Sequence, residues 1–418
     1  MKKIIYLAGV LVFCFCFQLR AEYTHLTWED DPKTSMTVIW QKSEKIDGKV
    51  KYGLEKENLD QTVTARMETV KDIETERKKR IETEKEIFFR DVKTEKGLVY
   101  IYKAKLSGLK AGTQYFYSIE GDSKGINTFT TAPEGDANFT FIAGGDSGDN
   151  NTMLVQLMRA IQRYRAKFFL HAGDMAHEAA DSAKIWNEFL ISIQPFSFSM
   201  PVMPTPGNHD GDEDPEFVNY LARFALPKGK DNGLNYSFNY GNCHFVSLFA
   251  SETKVSTDKY SKTAVWLEED LRLANSARYK IVFAHAPLFS TGDHGSDEKA
   301  RELFAPLFDK YRVNLYIDGH DHGYERSKSI NYTVSKKSAQ TSYKNGTCYV
   351  VAAGLASAYR KVRGDWWTAK SMQRDSKGNN KDKHYIMKID VTDDKLKVQA
   401  IGDDGKALDD FDLPKRDK

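Results

Sequence analysis

The sequence predicts two domains, an N-terminal all-β sandwich followed by an α/β domain of layered β-sheets flanked by helices. Residues 22–133 alternate apolar and polar positions between turn signals, without a long helical pattern. After the linker-like segment 133–136, strands alternate with helical segments, which is typical of an α/β layered core. Hydrophobic residues make up 40% of the chain and charged residues 29%, a globular composition that excludes a disordered or fibrous protein.

The first 21 residues have the pattern of a secretory signal peptide. Lys2 and Lys3 precede an apolar run of 14 residues, 4–17, and Ala21 is a small residue suited to cleavage. This run is shorter than the roughly 20 residues that a membrane-spanning helix needs. We therefore expect a protein secreted to the extracellular or periplasmic space, without stable membrane insertion after signal removal. An uncleaved anchor is the alternative.

The β-sandwich is predicted for residues 22–133 from four strand-like runs separated by turns. These runs are residues 35–40, 49–53, 99–106 and 113–119. A highly charged insertion, residues 66–96, interrupts them with 10 Lys or Arg and 9 Asp or Glu in 31 positions. Mixed charge of this density is typical of a solvated helix or a flexible excursion, and not of a binding patch.

The second domain, residues 138–413, is predicted from apolar strand-like runs that are followed by segments with helical spacing. Strands are predicted at 139–143, 168–172, 202–206, 243–249, 280–284, 314–317, 347–352, 385–391 and 396–401. Helices are predicted at 153–165, 184–193, 264–275 and 298–311. Strands dominate again after about residue 346, so the α/β core is expected to finish in β-structure.

Charge and cysteine content bear on partners and on redox chemistry. The formal net charge of +2 gives no general attraction to nucleic acid, and the sequence has no basic stripe with interleaved aromatic residues. Nucleic-acid binding is therefore not expected. Outside the signal segment the chain has only Cys243 and Cys348, both in strand-like runs. Two buried thiols are the expected state, and a disulfide between them is the alternative.

Five clusters of polar residues stand at the carboxyl ends of predicted strands. They are residues 145–148, 173–177, 207–210, 282–285 and 319–322. Each supplies a carboxylate, an amide or an imidazole, and ligands of α/β sheets bind beyond the carboxyl ends of the strands. Oxygen and imidazole ligands without thiolates suit metals such as Mn, Fe or Zn. The number of candidates exceeds what one ion needs, so two ions that share a carboxylate are expected, a centre suited to phosphoryl transfer.

These clusters resemble the signature of the calcineurin-like metallophosphoesterases, and more specifically that of the purple acid phosphatases. The matching pattern is Asp-x-Gly, Gly-Asp-x-x-Tyr, Gly-Asn-His-Glu/Asp, Val-x-x-His and Gly-His-x-His. Residues 290–295 and 319–326 support this branch. Residues 106–117 and 129–133 resemble a fibronectin type III sandwich, so the resemblance covers nearly the whole mature chain except the insertion 66–96.

The resemblance implies a set of metal ligands and two catalytic histidines. The first metal would be held by Asp146, Asp174 and His322. The second would be held by Asp174, Asn208, His285 and His320, with Asp174 as the bridge. His209 would contact the scissile phosphate and protonate the leaving oxygen, and His294 would face the phosphate.

One position departs from the family pattern. Purple acid phosphatases have a tyrosine where this chain has His177. That tyrosinate binds a ferric ion and gives the colour, whereas a neutral imidazole favours a divalent ion. Outside the purple branch, a histidine two residues after the first aspartate binds the first metal, but here that position is Gly148. His177 is therefore predicted to complete the first site, and a hydrogen-bonding loop histidine is the alternative.

Together these features predict a secreted phosphatase with two metal ions, divalent Fe, Zn or Mn, that hydrolyses phosphate monoesters of small molecules. The expected reaction is in-line attack of a metal-bound hydroxide, with His209 assisting the leaving group. A phosphodiesterase with the same metal centre is the alternative enzyme. A cell-surface binding protein with a relic metal site is the alternative outside enzymes, but a relic should have lost at least one ligand. The sequence leaves the oligomeric state open.

Overall fold

The computed structural model describes most of the chain. The described residues are 22–82, 87–122, 125–148, 151–177, 180–250, 257–335, 346–357, 360–372 and 384–416. The predicted signal peptide, residues 1–21, lies outside them. Within these ranges, none of the helices combines the length and the apolar character that crossing a membrane requires.

The first eight strands form a sandwich of two four-stranded antiparallel sheets. They are β1 (Glu22–Thr27), β2 (Ser35–Lys42), β3 (Lys49–Gly53), β4 (Gln61–Thr64), β5 (Arg66–Glu82), β6 (Ile87–Ser107), β7 (Gln114–Ile119) and β8 (Asn127–Thr130). The strand orders are β1-β2-β6-β5 and β4-β3-β7-β8. Trp40 of β2 stacks on Tyr102 of β6 in the core, with ring centroids 5.3 Å apart. The predicted all-β sandwich and its four predicted strands are confirmed.

The charged insertion does not form the predicted solvated helix or flexible excursion, and this prediction was wrong. Residues 66–82 and 87–107 are two long antiparallel strands, β5 and β6, that pair along their length. The register places Val70 opposite Val99, and the Lys71 ammonium lies 2.9 Å from the Glu95 carboxylate on the partner strand. Pairing satisfies the backbone, and the charged side chains of Lys71 and Glu95 remain exposed to water, so charge at these positions is compatible with strands.

The second domain contains two sheets and six α-helices among the described residues. Its first strands are β9 (Phe139–Gly144), β10 (Phe169–Ala172), β11 (Val202–Thr205), β12 (Tyr236–Tyr240), β13 (Cys243–Leu248), β14 (Tyr279–Ala284) and β15 (Leu315–Asp318). The later strands are β16 (Tyr324–Ser327), β17 (Cys348–Ala352), β18 (Thr368–Met372), β19 (Tyr385–Val391), β20 (Lys395–Gly402) and β21 (Ala407–Pro414). The helices are α1 (Asn151–Ile161), α2 (Ala183–Ser197), α3 (Val218–Arg223), α4 (Thr257–Leu273), α5 (Glu298–Tyr311) and α6 (Tyr332–Ser335).

Each of these two sheets has a parallel centre. The strand orders are β11-β10-β9-β19-β20-β21 and β12-β13-β14-β15-β17-β16-β18. Strands β9 to β11 are parallel in the first sheet, and β13, β14, β15 and β17 are parallel in the second. Phe141 of the first sheet and Phe168, just before β10, pack against Phe245 of the second sheet, with ring centroids 5.3 and 5.1 Å apart. The predicted α/β domain of layered sheets and flanking helices is therefore confirmed.

The two domains share a continuous hydrophobic core. Trp28, which follows β1, is fully buried and lies within 5.8 Å, between ring centroids, of Phe168, Phe238 and Tyr240 of the second domain. The Thr27 hydroxyl also donates a hydrogen bond of 2.7 Å across the interface to the backbone oxygen of Ala225. Burial of a tryptophan side chain between domains favours one cohesive unit over two independent bodies.

The two cysteines of the described chain are free thiols. Cys243 lies in β13 and Cys348 in β17, and both are buried. Burial raises the pKa of each thiol, to about 12 for Cys348, so neither is a reactive thiolate at neutral pH. The expected buried thiols are confirmed over the alternative of a disulfide.

Candidate metal centre

Five loops bring ligand-type side chains to the edge where the parallel strands of both sheets end. In each loop, a ligand-type residue lies one to three residues after the last residue of a strand. The positions are Asp146 after β9, Asp174 after β10, Asn208 after β11, His285 after β14 and His320 after β15. Because parallel strands place their carboxyl ends at one edge, strands far apart in sequence can supply one site.

Three of these positions have an unusual backbone. Asp146, Asp174 and His320 have φ angles of 61°, 57° and 67°, in the left-handed region that non-glycine residues rarely adopt. Such strain costs of order 1–3 kcal/mol per residue and is concentrated at functional sites. Gly173, just before Asp174, has a φ of 88°, and a Cβ there would lie 2.6 Å from Nδ1 of His285. The absence of a side chain at Gly173 therefore lets the two loops approach.

One group of predicted ligands surrounds His285. Its Nε2 atom lies 3.1 Å from Oδ2 of Asp174 and 3.0 Å from Oδ1 of Asn208. Two ligand atoms that bind one ion at about 2.1 Å and at right angles lie about 3.0 Å apart. Ligand atoms of Asp174, His285 and His320 all lie within 4.8 Å of one another. These separations suit a shared ion.

The tautomer of His285 also suits metal binding. Its Nδ1 atom lies 2.8 Å from the backbone oxygen of Ala172 and donates to it. When the ring is neutral, the lone pair is then on Nε2, the atom that faces Asp174 and Asn208. Histidine ligands of metals commonly donate their second ring N–H to such a carbonyl, which fixes the ring orientation.

A second group lies around Asp146. Its carboxylate is fully buried, and Oδ1 lies 3.4 Å from Nε2 of His322. The backbone N–H of His320 donates to both carboxylate oxygens, at 3.1 and 3.0 Å. This hydrogen bond joins the two groups, because the His320 ring belongs to the group around His285. The arrangement supports the predicted partition into two adjacent subsites.

Burial and mutual contact set the charge states of these groups. Burial lowers the pKa of His285, but the Asp174 carboxylate beside it more than compensates and raises this pKa to about 10. Burial raises the pKa of Asp174, yet the contact with His285 outweighs it and leaves the pKa below its usual value. Burial and then His285 lower the pKa of His320 to about 2. The site thus attracts positive charge to the Nε2 side of His285, where a metal ion can replace the proton.

His209 lies beside the carboxylate of Asp174, the predicted bridge. Its backbone N–H donates to Oδ1 of Asp174 at 2.9 Å, and its Nδ1 atom lies 2.5 Å from Oδ2 of Asp212. Burial lowers the pKa of His209, but the hydrogen bond to Asp212 and the charge of Asp174 produce a net rise. A side chain oriented by its own carboxylate, next to the ligands, is placed as a proton donor.

His177 packs against His209, with ring centroids 4.1 Å apart. A Cβ at Gly148 would lie 2.1 Å from Cβ of His177, so the two loops touch where a longer residue at 148 would clash. The place of a side chain two residues after Asp146 is therefore taken by His177 from the next loop. This position supports the predicted ligand role, which stays a prediction.

His294 lies on the other side of the centre. Its ring stacks near that of His320, with centroids 4.3 Å apart, and its Nε2 atom accepts a hydrogen bond from the Arg360 guanidinium. Its backbone N–H donates to Asp321 at 2.8 Å. The structure therefore brings His294 to the metal centre, and all nine predicted site residues lie in one region.

Two buried carboxylates hold the backbone of these loops, and neither was among the predicted site residues. Asp210 accepts hydrogen bonds of 2.8–2.9 Å from the backbone N–H groups of Asp174, Met175, Ala176 and Gly207. Asp321 accepts from His294 and Gly295 at 2.8 and 2.9 Å. Each stands next to a predicted site residue within its motif, and this position is the sequence signal that could have identified it.

The donor set fits divalent metal ions. It combines two buried carboxylates with an amide and imidazoles, the oxygen and nitrogen ligands that Mn, Fe and Zn accept. The space around the carboxylates is kept open by glycines. A Cβ at Gly207 would lie 2.1 Å from Oδ1 of Asp174, and one at Gly319 would lie 2.5 Å from Oδ2 of Asp146.

Comparison with known families places this fold and site in a class. The profile described as "Calcineurin-like phosphoesterase" matches residues 139–324, and the profile described as "Purple acid Phosphatase, N-terminal domain" matches residues 21–134. The chain belongs to the calcineurin-like metallophosphoesterases, in the branch with a purple acid phosphatase N-terminal domain. This confirms the predicted family and the predicted enzyme class.

Individual relatives agree with this class. Acid phosphatase type 7 from Mus musculus is 32% identical over 349 residues, which cover 75% of this chain and 76% of the mouse protein. Acid phosphatase type 7 from Danio rerio is 27% identical over 436 aligned residues, or 94% of this chain and 91% of that protein. The structure of a purple acid phosphatase from yellow lupin (Lupinus luteus) seeds superimposes with a TM-score of 0.74 at 18% identity, covering 94% of this chain and 74% of that chain, and shows the same fold.

Proposed function

We propose that this chain is a secreted phosphatase that hydrolyses phosphate monoesters at a centre of two divalent metal ions, Fe, Zn or Mn. The observation that carries the proposal is the position of Asp174 between two groups of ligands. One oxygen of its carboxylate lies 3.1 Å from His285, and its loop contacts that of Asp146 through a hydrogen bond from Ser147 N–H to Asp174 O. A carboxylate with two oxygens in this position is suited to bridge two ions.

Two ions bound there would activate a water molecule and neutralise charge on the phosphate. The protein residues then supply binding, orientation and a proton. Asp146 and His322 on one side, and Asn208, His285 and His320 on the other, would fix the ions in a largely buried edge. The Asp212 carboxylate holds Nδ1 of His209, so that Nε2 is the ring atom left to give a proton to the leaving oxygen.

The proposal is tested by metal analysis and by rates for two matched aryl esters. We expect about two metal ions per chain and faster hydrolysis of p-nitrophenyl phosphate than of bis(p-nitrophenyl) phosphate. The Asp174→Ala variant should lose activity and bound metal together, whereas Asp393→Ala, which removes an exposed carboxylate elsewhere, should keep both. Faster turnover of the diester would favour a phosphodiesterase, and a metal-free inactive wild type would contradict the enzyme proposal.

Secretion is proposed from the N-terminal sequence alone. Lys2 and Lys3, the apolar run 4–17 and Ala21 support a cleaved signal peptide. Expression of the full chain in a secreting host, followed by N-terminal sequencing of protein outside the cytoplasm, tests this proposal. A mature N-terminus close to residue 22 is expected, and full-length protein retained in the cytoplasm would contradict it.

A further inference from the structure

A wall of two interlocked segments, residues 290–296 and 360–368, stands beside the metal centre, and we call it the side wall. The backbone N–H of Gly364 donates to the Thr291 hydroxyl at 2.8 Å, and the N–H of Arg363 donates to the Thr291 backbone oxygen at 3.3 Å. The Arg363 guanidinium also contacts the Gly292 oxygen and the Asp293 carboxylate. The two segments therefore form one unit.

Two buried carboxylates anchor the side wall to the sheet edge. Glu325 in β16 accepts hydrogen bonds from the N–H and hydroxyl of Thr291, at 2.7 and 2.8 Å, and from the Thr368 hydroxyl. Asp321 accepts from His294 N–H and from the Ser290 hydroxyl. Because Glu325 joins both segments and Asp321 holds the first, residues on the wall have fixed positions relative to the metal ligands.

Arg360 lies at the end of the side wall nearest the centre. Its backbone N–H donates to the backbone oxygen of His322 at 2.7 Å, and its guanidinium donates to Nε2 of His294. The His294 ring in turn lies 4.3 Å, between centroids, from that of His320. The guanidinium is thus one imidazole away from a predicted metal ligand. An imidazole that accepts at Nε2 is neutral, so this contact leaves the charge of Arg360 uncancelled.

Charge at the centre indicates what Arg360 can bind. Two divalent ions carry four positive charges, and the carboxylates of Asp146 and Asp174 together with a phosphate monoester dianion cancel them. The negative charge of an attacking hydroxide would be cancelled by the proton that His209 donates. Among these groups, the guanidinium of Arg360 is the cation that remains. Guanidinium recognises phosphate and carboxylate through paired hydrogen bonds, a geometry that one ammonium group does not reproduce.

We propose that Arg360 binds a second anionic group of the substrate, a phosphate or a carboxylate, so that the site prefers phosphate monoesters carrying such a group. This inference rests on the proposed phosphatase function and adds a substrate class to it. The phosphoryl group that reacts occupies the metal centre, and the second anion lies towards the side wall. Arg360 is a specificity residue in this arrangement, because it acts on the part of the substrate that does not react.

The test uses two esters that differ in one group. Glycerol 2-phosphate and 2-phosphoglycerate share a secondary leaving oxygen, but only the second carries a carboxylate. Arg360→Gln should lower kcat/KM for 2-phosphoglycerate about 10–100-fold, the range for loss of a charge-assisted hydrogen bond. The value for glycerol 2-phosphate should change less than about threefold. Arg360→Lys should recover part of the preference, and Lys361→Gln, which removes the neighbouring exposed charge, should leave both substrates unaffected.

Binding measured by calorimetry gives a readout that does not depend on turnover. The metal-loaded protein is titrated with methylenediphosphonate, which has two phosphonate groups, and with methylphosphonate, which has one. Arg360→Gln should weaken binding of the first about 10–100-fold relative to the second. If Arg360→Gln changes only the preference between the two phosphonates, Arg360 accepts a phosphate-like anion. If it changes only the preference between the two esters, Arg360 accepts a carboxylate. Either result supports the proposal.

Two results would overturn the proposal. An equal loss for both esters would mean that Arg360 acts on the reacting phosphate. No loss for either ester, together with an unchanged preference between the two phosphonates, would mean that Arg360 binds no part of the substrate. Metal content and thermal melting of each variant establish that the fold is intact. If wild type cleaves neither ester yet distinguishes the two phosphonates, the phosphatase proposal fails while the role of Arg360 stands.

Discussion

His209 contacts two carboxylates in different ways, and these contacts separate proton transfer from metal binding. Its backbone N–H reaches Asp174, whereas its side chain reaches Asp212. His209→Ala should therefore keep the metal content near that of wild type and lower kcat about 10²–10⁴-fold, the usual contribution of a general acid. Because good leaving groups need little protonation, the loss should shrink along a series of aryl phosphates with increasingly acidic phenols.

The slope of log kcat against leaving-group pKa, measured for wild type and His209→Ala, checks this prediction. Asp212→Asn is the matched control, since it keeps a polar partner near Nδ1 but removes the charge that favours the imidazolium. For Asp212→Asn we expect a smaller loss of kcat, which should also shrink as the phenol becomes more acidic. An identical loss for every leaving group would assign His209 to phosphate binding.

The presence of a histidine at position 177 leads to a prediction about the absorption spectrum of the same centre. Its imidazole stands where purple acid phosphatases have the tyrosinate that gives their colour, and it packs against His209 at 4.1 Å between ring centroids. The purified protein should show no visible charge-transfer band, even when it is loaded with iron. The absorption spectrum measures this directly, and a purple wild type would refute it. Metal analysis of His177→Ala then tests the ligand role, which full metal retention would exclude.

At the level of elements, the long hairpin of β5 and β6 is fixed to α2 near its base. The Asp72 carboxylate of β5 accepts a hydrogen bond of 2.9 Å from the backbone N–H of Ala183, the first residue of α2. A carboxylate at a helix N-terminus satisfies a free N–H and interacts favourably with the helix dipole. Asp72→Ala removes this hydrogen bond and should therefore destabilise the first turn of α2 by about 1 kcal/mol.

Hydrogen exchange of the first turn of α2, followed by mass spectrometry, detects this loss. Faster exchange is expected at residues 183–186 in Asp72→Ala, while Asp72→Asn should stay closer to wild type because an acceptor oxygen remains. Catalytic rates should change little in both variants. Unchanged exchange in Asp72→Ala would mean that the contact does not stabilise the helix.

Most elements were predictable because their apolar residues follow the period of a strand or a helix. Glu298–Tyr311 was predicted to the residue, since its apolar side chains recur on one helical face and Asp297 caps its start at 3.0 Å. The β5–β6 hairpin was not predicted, because its many charged residues interrupt the alternation of apolar residues that identifies a strand. Only the pairing of the two segments in the fold identifies them as strands. Asp210 was missed for a similar reason, since the four backbone N–H groups that donate hydrogen bonds to it come together only in the fold.

At the scale of the whole molecule, the domain interface predicts cooperative unfolding. Trp28 of the first domain is buried among aromatic rings of the second. Trp28→Ala should cost about 3–5 kcal/mol and lower the melting temperature by roughly 3–6 °C. Residues 136–418 expressed alone would expose Phe168, Phe238 and Tyr240 to water. This fragment would still contain every predicted metal ligand, because all of them lie after residue 145.

Differential scanning calorimetry of the full chain measures both the shift and the cooperativity. A single transition is expected for wild type, and Trp28→Ala should lower it or split it into two. Val265→Ala, at a surface position of α4, is the matched control and should leave the transition in place. Two independent transitions already present in wild type would contradict the shared core.

The candidate ligands come from both layers of the second domain. Asp146 and Asp174 follow strands of the six-stranded sheet, while His285 and His320 follow strands of the seven-stranded one. Ions held by all four would act as a cross-link between the layers. An ion that binds only the folded chain adds RT ln(1 + [L]/Kd) to its stability, so occupancy and resistance to unfolding rise together. The supply of metal would then govern how much of the protein survives proteolysis, as well as how fast each surviving molecule works.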